Sequence, residues 1–154
     1  MINPDNLEEI KRTIMEFFKR ATFEVDIEFL SQENSTLPIN IKAENPQILI
    51  GEGGQTLADM QHLLKAMLRK KIQDNFYLNL DINDYKKKKI EYLKELAKLT
   101  ADEVTLMKEE KVLPSMSAYE RRIVHMQLAE REDIVTESTG RDPERKIIIK
   151  PASL

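Results

Sequence analysis

The chain has 154 residues, of which 41% are hydrophobic and 33% are charged, and its formal net charge is −3 at neutral pH. This length fits one medium domain or two small ones, and the negative charge argues against a protein that coats nucleic acid nonspecifically. The lack of cysteine excludes disulfides and thiolate chemistry, as expected for a cytoplasmic protein. No apolar run is long enough for a transmembrane segment, and four acidic residues among the first 20 are unlike a signal peptide.

The spacing of apolar residues predicts the elements of the first half of the chain. Apolar residues three and four apart indicate helices, and strict alternation with polar residues indicates strands. Asn45-Pro46 begins a short helical turn, because proline suits the first position of a helix. The predicted order is helix (5–20), strand (23–29), strand (37–43), short helix (from 46), helix (from 55) and strand (77–82).

Three of the four glycines fall in one turn, at Gly51, Gly53 and Gly54, and a helix is predicted to begin at Gln55. Glycine allows a positive φ and close backbone approach. A G-x-x-G turn that opens a helix also presents free N–H groups and the positive end of the helix dipole to a phosphate. The same pattern describes a tight helix–helix connection equally well. Taken as a binding turn, its candidate residues are Gly51, Glu52, Gly53, Gly54 and Gln55.

This order of elements, with G-x-x-G between the two central helices, resembles a KH domain of the bacterial type II arrangement over residues 5–83. KH domains hold about four single-stranded nucleotides, with the loop against the backbone and the bases in an apolar groove. The resemblance implies a groove lined by the adjoining helices and by the strand near Ile39 and Ile41. Glu52 stands where nucleic-acid-binding members often carry a basic residue, and its carboxylate repels phosphate. Binding at the turn therefore requires that basic residues gather around it, namely Lys42, Lys65, Arg69, Lys70 and Lys71.

The charge balance changes near Asn83-Asp84. Residues 1–83 carry nine basic and 13 acidic side chains, whereas residues 84–154 carry 15 and 14. Asp84 is a candidate N-cap for a helix that opens with four lysines, at 86–89, and runs to about Glu110. Four consecutive lysines cannot share one helix face, so this run is interpreted as a solvated surface with at most a supplementary electrostatic role.

Ser117 and Glu120 form a capping box, which predicts a helix from about residue 118. Arg121 and His125 are four residues apart and therefore share one face of that helix. An arginine offers a planar donor fork to phosphate, and a histidine can stack or hydrogen-bond. Alone, such a pair is more often a solvated face. Strands are expected at 134–137 and 146–150.

The pattern Pro-x-Met-x-x-x-x-Arg-x-x-x-His at 114–125 resembles the R-three-H domain, which binds single-stranded nucleic acid. The resemblance implies that Arg121 and His125 lie on the binding surface, with Arg122 as a neighbour. A KH domain followed by this domain is the arrangement of the Jag family, also called SpoIIIJ-associated proteins. The runs Gly-Gly-Gln-Thr-Leu at 53–57 and Ala-Tyr-Glu-Arg-Arg-Ile-Val-His at 118–125 are similar to that family. Its members usually carry a further N-terminal domain, and this sequence starts close to the first KH-like helix.

The expected fold class is α+β, with a type II KH domain at 1–83 and a small R-three-H domain at 84–154. The second domain is expected to have a three-stranded sheet packed by two helices. The resemblance implies a bacterial, cytoplasmic protein that binds single-stranded RNA, or single-stranded DNA, as a post-transcriptional regulator. In that mechanism the glycine turn and the Arg121/His125 helix contact neighbouring stretches of one strand.

The alternative is an adaptor whose KH-like fold binds a partner protein, such as a second KH protein, with little or no nucleic acid. The acidic first half favours this alternative. Enzymatic activity is not expected, because His62 and His125 lie on different predicted helices and no P-loop, dinucleotide or zinc motif is present. No cofactor and no metal are expected.

Overall fold

The computed structural model describes residues 1–153, and these form two compact units that divide between Lys86 and Lys87. The predicted boundary after Asn83 falls just before this division. Both units mix helices with a small three-stranded sheet, so the predicted α+β class is confirmed.

The first unit follows the predicted order of elements. Asn3 caps the first helix by accepting a hydrogen bond from the Asp5 N–H, with Pro4 at the first helical position. The elements are α1 (Pro4–Arg20), β1 (Val25–Phe29), β2 (Thr36–Ala43), α2 (Pro46–Ile50), a 3₁₀ turn (Glu52–Gly54), α3 (Gln55–Arg69) and β3 (Tyr77–Ile82).

The first sheet has the strand order β1-β2-β3, with β1 antiparallel and β3 parallel to β2. Strand β2 is central, and its alternate residues Leu37, Ile39 and Ile41 are fully buried. These side chains form the core with the apolar faces of α1 and α3, which include Ile14 and Leu64. The sheet therefore has one face built into the core and one polar face, which bears Asp26, Asn40 and Asp81 among others.

The second unit begins within α4 (Tyr85–Met107) and continues with β4 (Lys111–Val112), α5 (Ala118–Leu128), β5 (Ile134–Thr139) and β6 (Lys146–Pro151). The sheet order is β4-β6-β5, all antiparallel. Ile147 and Ile149 of the central strand pack with Ala97 and Val104 of α4 and Val124 of α5. The predicted three-stranded sheet packed by two helices is confirmed.

One predicted cap is wrong. Asp84 has a positive φ of 57°, and the Asp81 carboxylate accepts the Lys86 N–H at 3.1 Å instead. Asp81 can do this because the chain turns sharply at Asn83 and Asp84, which brings the end of β3 beside the first turn of α4. Asn83 fixes this turn by bonding both the N–H and the C=O of Ala43.

Candidate nucleic-acid interface

The glycine turn adopts a backbone that only glycine accommodates at its first position. Gly51 has φ 74° and ψ −179°, a region essentially restricted to glycine. A Cβ on Gly51 would overlap the Thr56 hydroxyl and lie 2.8 Å from Thr56 Cβ. Gly53 and Gly54 also have positive φ, but a Cβ on Gly53 would meet no atom within 4 Å. The backbone at Gly51 thus lies in close contact with Thr56 in the first turn of α3, whereas Gly53 lies at the open tip of the turn.

The surface of the turn is acidic. Glu52 and Gln55 are exposed, and the Gln55 amide donates to the Asp59 carboxylate at 2.8 Å. Two carboxylates therefore flank the N-terminus of α3, where a phosphate would have to approach.

The five basic residues that were expected at the turn, from Lys42 to Lys71, do not gather around it. Lys65, Arg69 and Lys70 lie toward the other end of α3, about 15–22 Å along the helix axis at 1.5 Å per residue. Lys71 bonds Glu9 at 3.2 Å, and Lys42 lies 3.4 Å from Glu28 across the sheet. These five residues therefore do not form the basic cluster that was expected around the turn.

The side chains of Ile39 and Ile41 do not line a groove. The two side chains are 1% and 0% exposed, because α1 and α3 cover this face of the sheet. Both residues therefore belong to the core and cannot meet a base.

Side chains of the protein also occupy the space between α3 and β3 beside the turn. The Gln61 carbonyl oxygen accepts the Leu80 N–H at 2.9 Å, and the Lys86 ammonium donates to Gln61 and to Asn79. The Tyr85 ring lies against the turn, so close that a Cβ added to Gly54 would be 3.0 Å from Tyr85 Cε1. Burial lowers the pKa of Lys86, and the nearby Asp81 charge opposes this effect. The outward N–H of Leu80 on β3 is thus already hydrogen-bonded within the protein.

In the second unit, the predicted capping box is present. Ser117 accepts the Glu120 N–H at 3.3 Å, and the Glu120 carboxylate accepts the Ser117 N–H at 2.8 Å. The box fixes the start of α5 and hence the direction in which its arginines and histidine project.

Arg121 does not lie on an exposed binding face as expected. Its side chain is 8% exposed, and Nη1 donates to the Met116 carbonyl at 2.7 Å and to the Asp142 carboxylate at 3.1 Å. The reason is that Arg121 shares the buried face of α5 with Val124 and Leu128. The guanidinium connects the segment before α5 to the loop between β5 and β6.

His125 is half-buried beside the sheet. Its Nδ1 lies 2.8 Å from Thr136 Oγ1 on β5. Burial lowers the pKa of His125, and the positive charge of Arg121 lowers it further. The imidazole is therefore held mainly in its neutral form at physiological pH, so it offers a hydrogen bond or a stacking face rather than a charge.

This shift predicts a dependence of stability on pH. The pKa of His125 in the folded protein lies below the ordinary value of about 6.5, so the unfolded chain binds this proton more readily. The contribution of the neutral imidazole to stability is complete above about pH 6.5 and is lost as the pH falls through the folded-state pKa. We expect the unfolding free energy, measured by urea denaturation, to fall more steeply with acidification in wild type than in His125→Gln. A His125 pKa at or above the ordinary value by NMR would contradict this.

Arg122 lies at the centre of the exposed flank of α5. It is exposed and makes no ion pair within residues 1–153. Tyr119 and Met126, which are three residues before and four after it, are 65% and 66% exposed. We call Tyr119, Arg122, His125 and Met126 the α5 flank. Tyr119 and Met126 were not identified from the sequence, although their spacing from Arg122 places all three on one side of the helix.

The lysine run at the start of α4 is only partly solvated. Lys87 and Lys88 are exposed, as expected. Lys89 lies 3.9 Å from Glu120 and 5.8 Å from the Tyr92 ring centroid. Its charge is thereby directed toward the helix that carries the α5 flank.

Two further properties concern the described residues 1–153. No helix there has the length and apolar character that crossing a membrane requires. Within the same residues, no three side chains of the metal-binding types are grouped as ligands.

Comparisons with known proteins concern both units: a family model matches within the second unit, and the curated relatives match over stretches longer than either unit. A model of the R-three-H domain matches residues 91–151. The RNA-binding protein KhpB of Clostridium symbiosum is 35% identical over 126 residues, which cover 82% of this chain and 56% of that protein. KhpB of Lactiplantibacillus plantarum is 30% identical over 129 residues, 84% of this chain and 39% of that protein. KhpB of Bacillus subtilis is 30% identical over 122 residues, which cover 78% of this chain and 59% of that protein. The chain spans about half the length of the curated relatives it matches.

Proposed function

Because the chain belongs to the Jag family of KhpB-like proteins, we propose that it binds single-stranded RNA, with the α5 flank as the main contact surface. The observation that carries this proposal is the flank itself, which places an unpaired, exposed Arg122 between Tyr119 and His125. Arginine can bond a phosphate through two N–H groups, and an exposed aromatic ring can stack on a base. The relatives are named as RNA-binding proteins, and the R-three-H match includes the whole of α5.

The proposed mechanism is binding without catalysis. Arg122 contacts a phosphate, Tyr119 stacks on a base, and the neutral His125 contributes a second ring or a hydrogen bond. Arg121 has a positioning role and does not contact the RNA. Its hydrogen bonds to the Met116 carbonyl and the Asp142 carboxylate hold the start of α5 and the β5–β6 loop in place. The glycine turn contributes little, because Glu52 and Asp59 oppose phosphate there.

The test is fluorescence anisotropy of a labelled single-stranded RNA and a matched DNA at two salt concentrations. Arg122→Ala should weaken RNA binding about tenfold, because a hydrogen bond to a charged group contributes about 1.5–3 kcal/mol and the lower end of this range applies at a solvent-exposed site. The log–log salt slope should also become shallower by about 0.7, the value for one phosphate on a single strand. Lys98→Ala is the matched control, because Lys98 is an exposed cation that lies on α4 and not on α5. Equal effects of the two variants would refute a specific contact at Arg122.

Gly53→Asp tests the glycine turn separately. The side chain has open space at this position, so the variant should fold, and circular dichroism checks this. We expect RNA affinity within about twofold of wild type, because the turn already carries repelling carboxylates. A loss as large as that of Arg122→Ala would show that the turn is a second RNA contact.

A second candidate function, that of a protein-interaction adaptor, is favoured by one observation. The glycine turn of the first unit has an acidic surface, on which Glu52 and Asp59 are exposed. On this candidate the first unit binds a partner protein. If neither RNA nor DNA binds at low salt, the adaptor candidate replaces the RNA-binding proposal.

A further inference from the structure

Strand β1 is an open edge of the first sheet with an unusually regular pattern. It pairs only with β2 in the order β1-β2-β3. From 23 to 29 the chain alternates apolar residues, Phe23, Val25, Ile27 and Phe29, with acidic ones, Glu24, Asp26 and Glu28. All three acids are exposed, whereas the apolar residues of β1 are half-buried. One face of the edge strand is thus apolar and the other carries a continuous acidic stripe.

The backbone of this edge is available for hydrogen bonding. The Leu30 N–H donates to the Pro38 carbonyl at 3.0 Å, and the antiparallel register pairs Glu28 with Asn40. Hydrogen-bonded and non-hydrogen-bonded pairs alternate in such a ladder. The backbone groups of Asp26 and Glu28 therefore bond β2, and those of Val25, Ile27 and Phe29 point to the free edge. Each of these three residues presents one N–H and one C=O to an incoming strand.

A groove lies along this edge, between β1 and α1, with a volume of about 1420 Å³. Its apolar lining includes Met15 and Phe23, which are 56% and 39% exposed, together with Val25 and Ile27. A strand added to β1 would direct alternate side chains into this groove. Those side chains must be apolar to bury Met15 and Phe23.

The side chains on the other face of an added strand would meet the acidic stripe. Glu24 and Asp26 form no ion pair within residues 1–153, and Glu28 has only Lys42 at 3.4 Å. On the α1 side of the groove, Lys11, Arg12 and Arg20 pair with Glu8, Glu9 and Glu16, and Lys19 adds a positive charge that has no ion pair within residues 1–153. This side would face the apolar side chains of an added strand and not the side chains that meet the acidic stripe. Charge complementarity therefore calls for basic residues at alternate positions of the partner strand.

We propose that β1 docks an extended segment of a partner protein in which apolar and basic residues alternate. Such a segment would add a fourth strand to the sheet by main-chain hydrogen bonds, with the groove and the acidic stripe supplying specificity. A second copy of this chain is a poor occupant, because antiparallel pairing of two β1 strands about Ile27 sets Asp26 of each copy against Glu28 of the other. The same acids oppose RNA.

The competing explanation is that Glu24, Asp26 and Glu28 only protect the edge from unwanted pairing. The two explanations differ in one respect. If the acids only protect the edge, β1 should bind no added strand, whatever its charge. If β1 is a docking site, it should bind a basic strand in preference to an acidic one, and this binding should depend on the outward N–H groups of β1.

The probes are a synthetic peptide of alternating lysine and valine and its counterpart of alternating glutamate and valine, titrated into the full chain by calorimetry. We expect the lysine peptide to bind at least tenfold more tightly than the glutamate peptide. Asp26→Lys/Glu28→Lys should reverse this preference. Glu91→Lys/Glu95→Lys makes the same change in net charge on exposed residues of α4 and should leave the preference unchanged.

Ile27→Pro separates strand addition from simple charge attraction. Proline removes an outward N–H but no bond to β2, and proline is tolerated on edge strands. With its fold confirmed by circular dichroism, this variant should lose binding of the lysine peptide, and saturating peptide should slow amide exchange at Val25, Ile27 and Phe29 in wild type. Undiminished binding by Ile27→Pro, or no selectivity between the peptides, would overturn the proposal. RNA binding by the α5 flank is measured separately, and these variants should not alter it.

Discussion

Gly51→Ala is expected to destabilise the first unit by about 2–6 kcal/mol. The φ and ψ angles of Gly51 belong to a region that costs other residues about 1–3 kcal/mol. The added methyl would also overlap the Thr56 hydroxyl, and overpacking of this kind typically costs a further 1–3 kcal/mol. Thr56 lies in the first turn of α3 and cannot move away without moving the helix that supplies Leu57 and Leu64 to the core.

The matched control is Gly53→Ala in the same turn. Gly53 also has a positive φ, but a methyl there meets open space, so only the left-handed strain of about 1–2 kcal/mol applies. Urea denaturation gives the change in unfolding free energy for each variant, and amide hydrogen exchange assigns it to the first or second unit. Equal destabilisation by the two variants would contradict a steric role for Gly51.

The sequence predicted the elements of the first unit well, because each has a distinct periodicity. The alternation at Leu37, Ile39 and Ile41 identified β2, and the spacing from Leu57 to Leu68 identified α3. The periodicity of a strand shows that one of its faces is buried, but it does not show which other elements cover that face. It could not show that α1 and α3 both cover the same face of β2, and so Ile39 and Ile41 were expected beside a groove, whereas they lie in the core. The assignment of this unit as a KH domain stays a prediction.

Short elements and local caps were harder to predict. Strand β4 has only two residues, Lys111 and Val112, which is too short to show an alternation of apolar and polar residues. The cap of α4 comes from Asp81 rather than Asp84, because Asn83 and Asp84 both have positive φ angles and turn the chain sharply. Neither Asn83 nor Asp84 is a glycine, so the sequence did not indicate this turn.

In the second unit, the predicted R-three-H domain is confirmed by the match over 91–151. The face on which each residue of α5 lies was less predictable. Arg121 shares its i, i+3, i+7 spacing with Val124 and Leu128, so the sequence held a signal that Arg121 lies on the buried face. An arginine is rarely assigned to such a face, because burial of a charge requires partners that only the tertiary structure supplies. Here those partners are the Met116 carbonyl and Asp142.

Arg121→Ala is accordingly expected to lower the unfolding free energy of the second unit by about 2–4 kcal/mol. The change leaves the Met116 carbonyl without its donor in a buried setting, which costs about 1–3 kcal/mol, and it removes the packing of the long side-chain stem. Asp142 contributes little to this loss, because its side chain is 68% exposed and can be solvated. Arg122→Ala is the neighbouring control and should change stability by no more than about 0.5 kcal/mol.

Arg121→Met separates the positioning role of Arg121 from direct contact with RNA. Methionine keeps most of the buried stem but cannot donate to Met116, so we expect a loss of about 1–3 kcal/mol in stability. Under conditions where this variant is folded, its affinity for RNA should remain within about threefold of wild type, whereas Arg122→Ala should lose about tenfold. The comparison requires unfolding curves and anisotropy titrations of both variants in one buffer. If folded Arg121→Met loses as much affinity as Arg122→Ala, the guanidinium of Arg121 itself contacts the nucleic acid, and the buried contacts seen here must open when RNA binds.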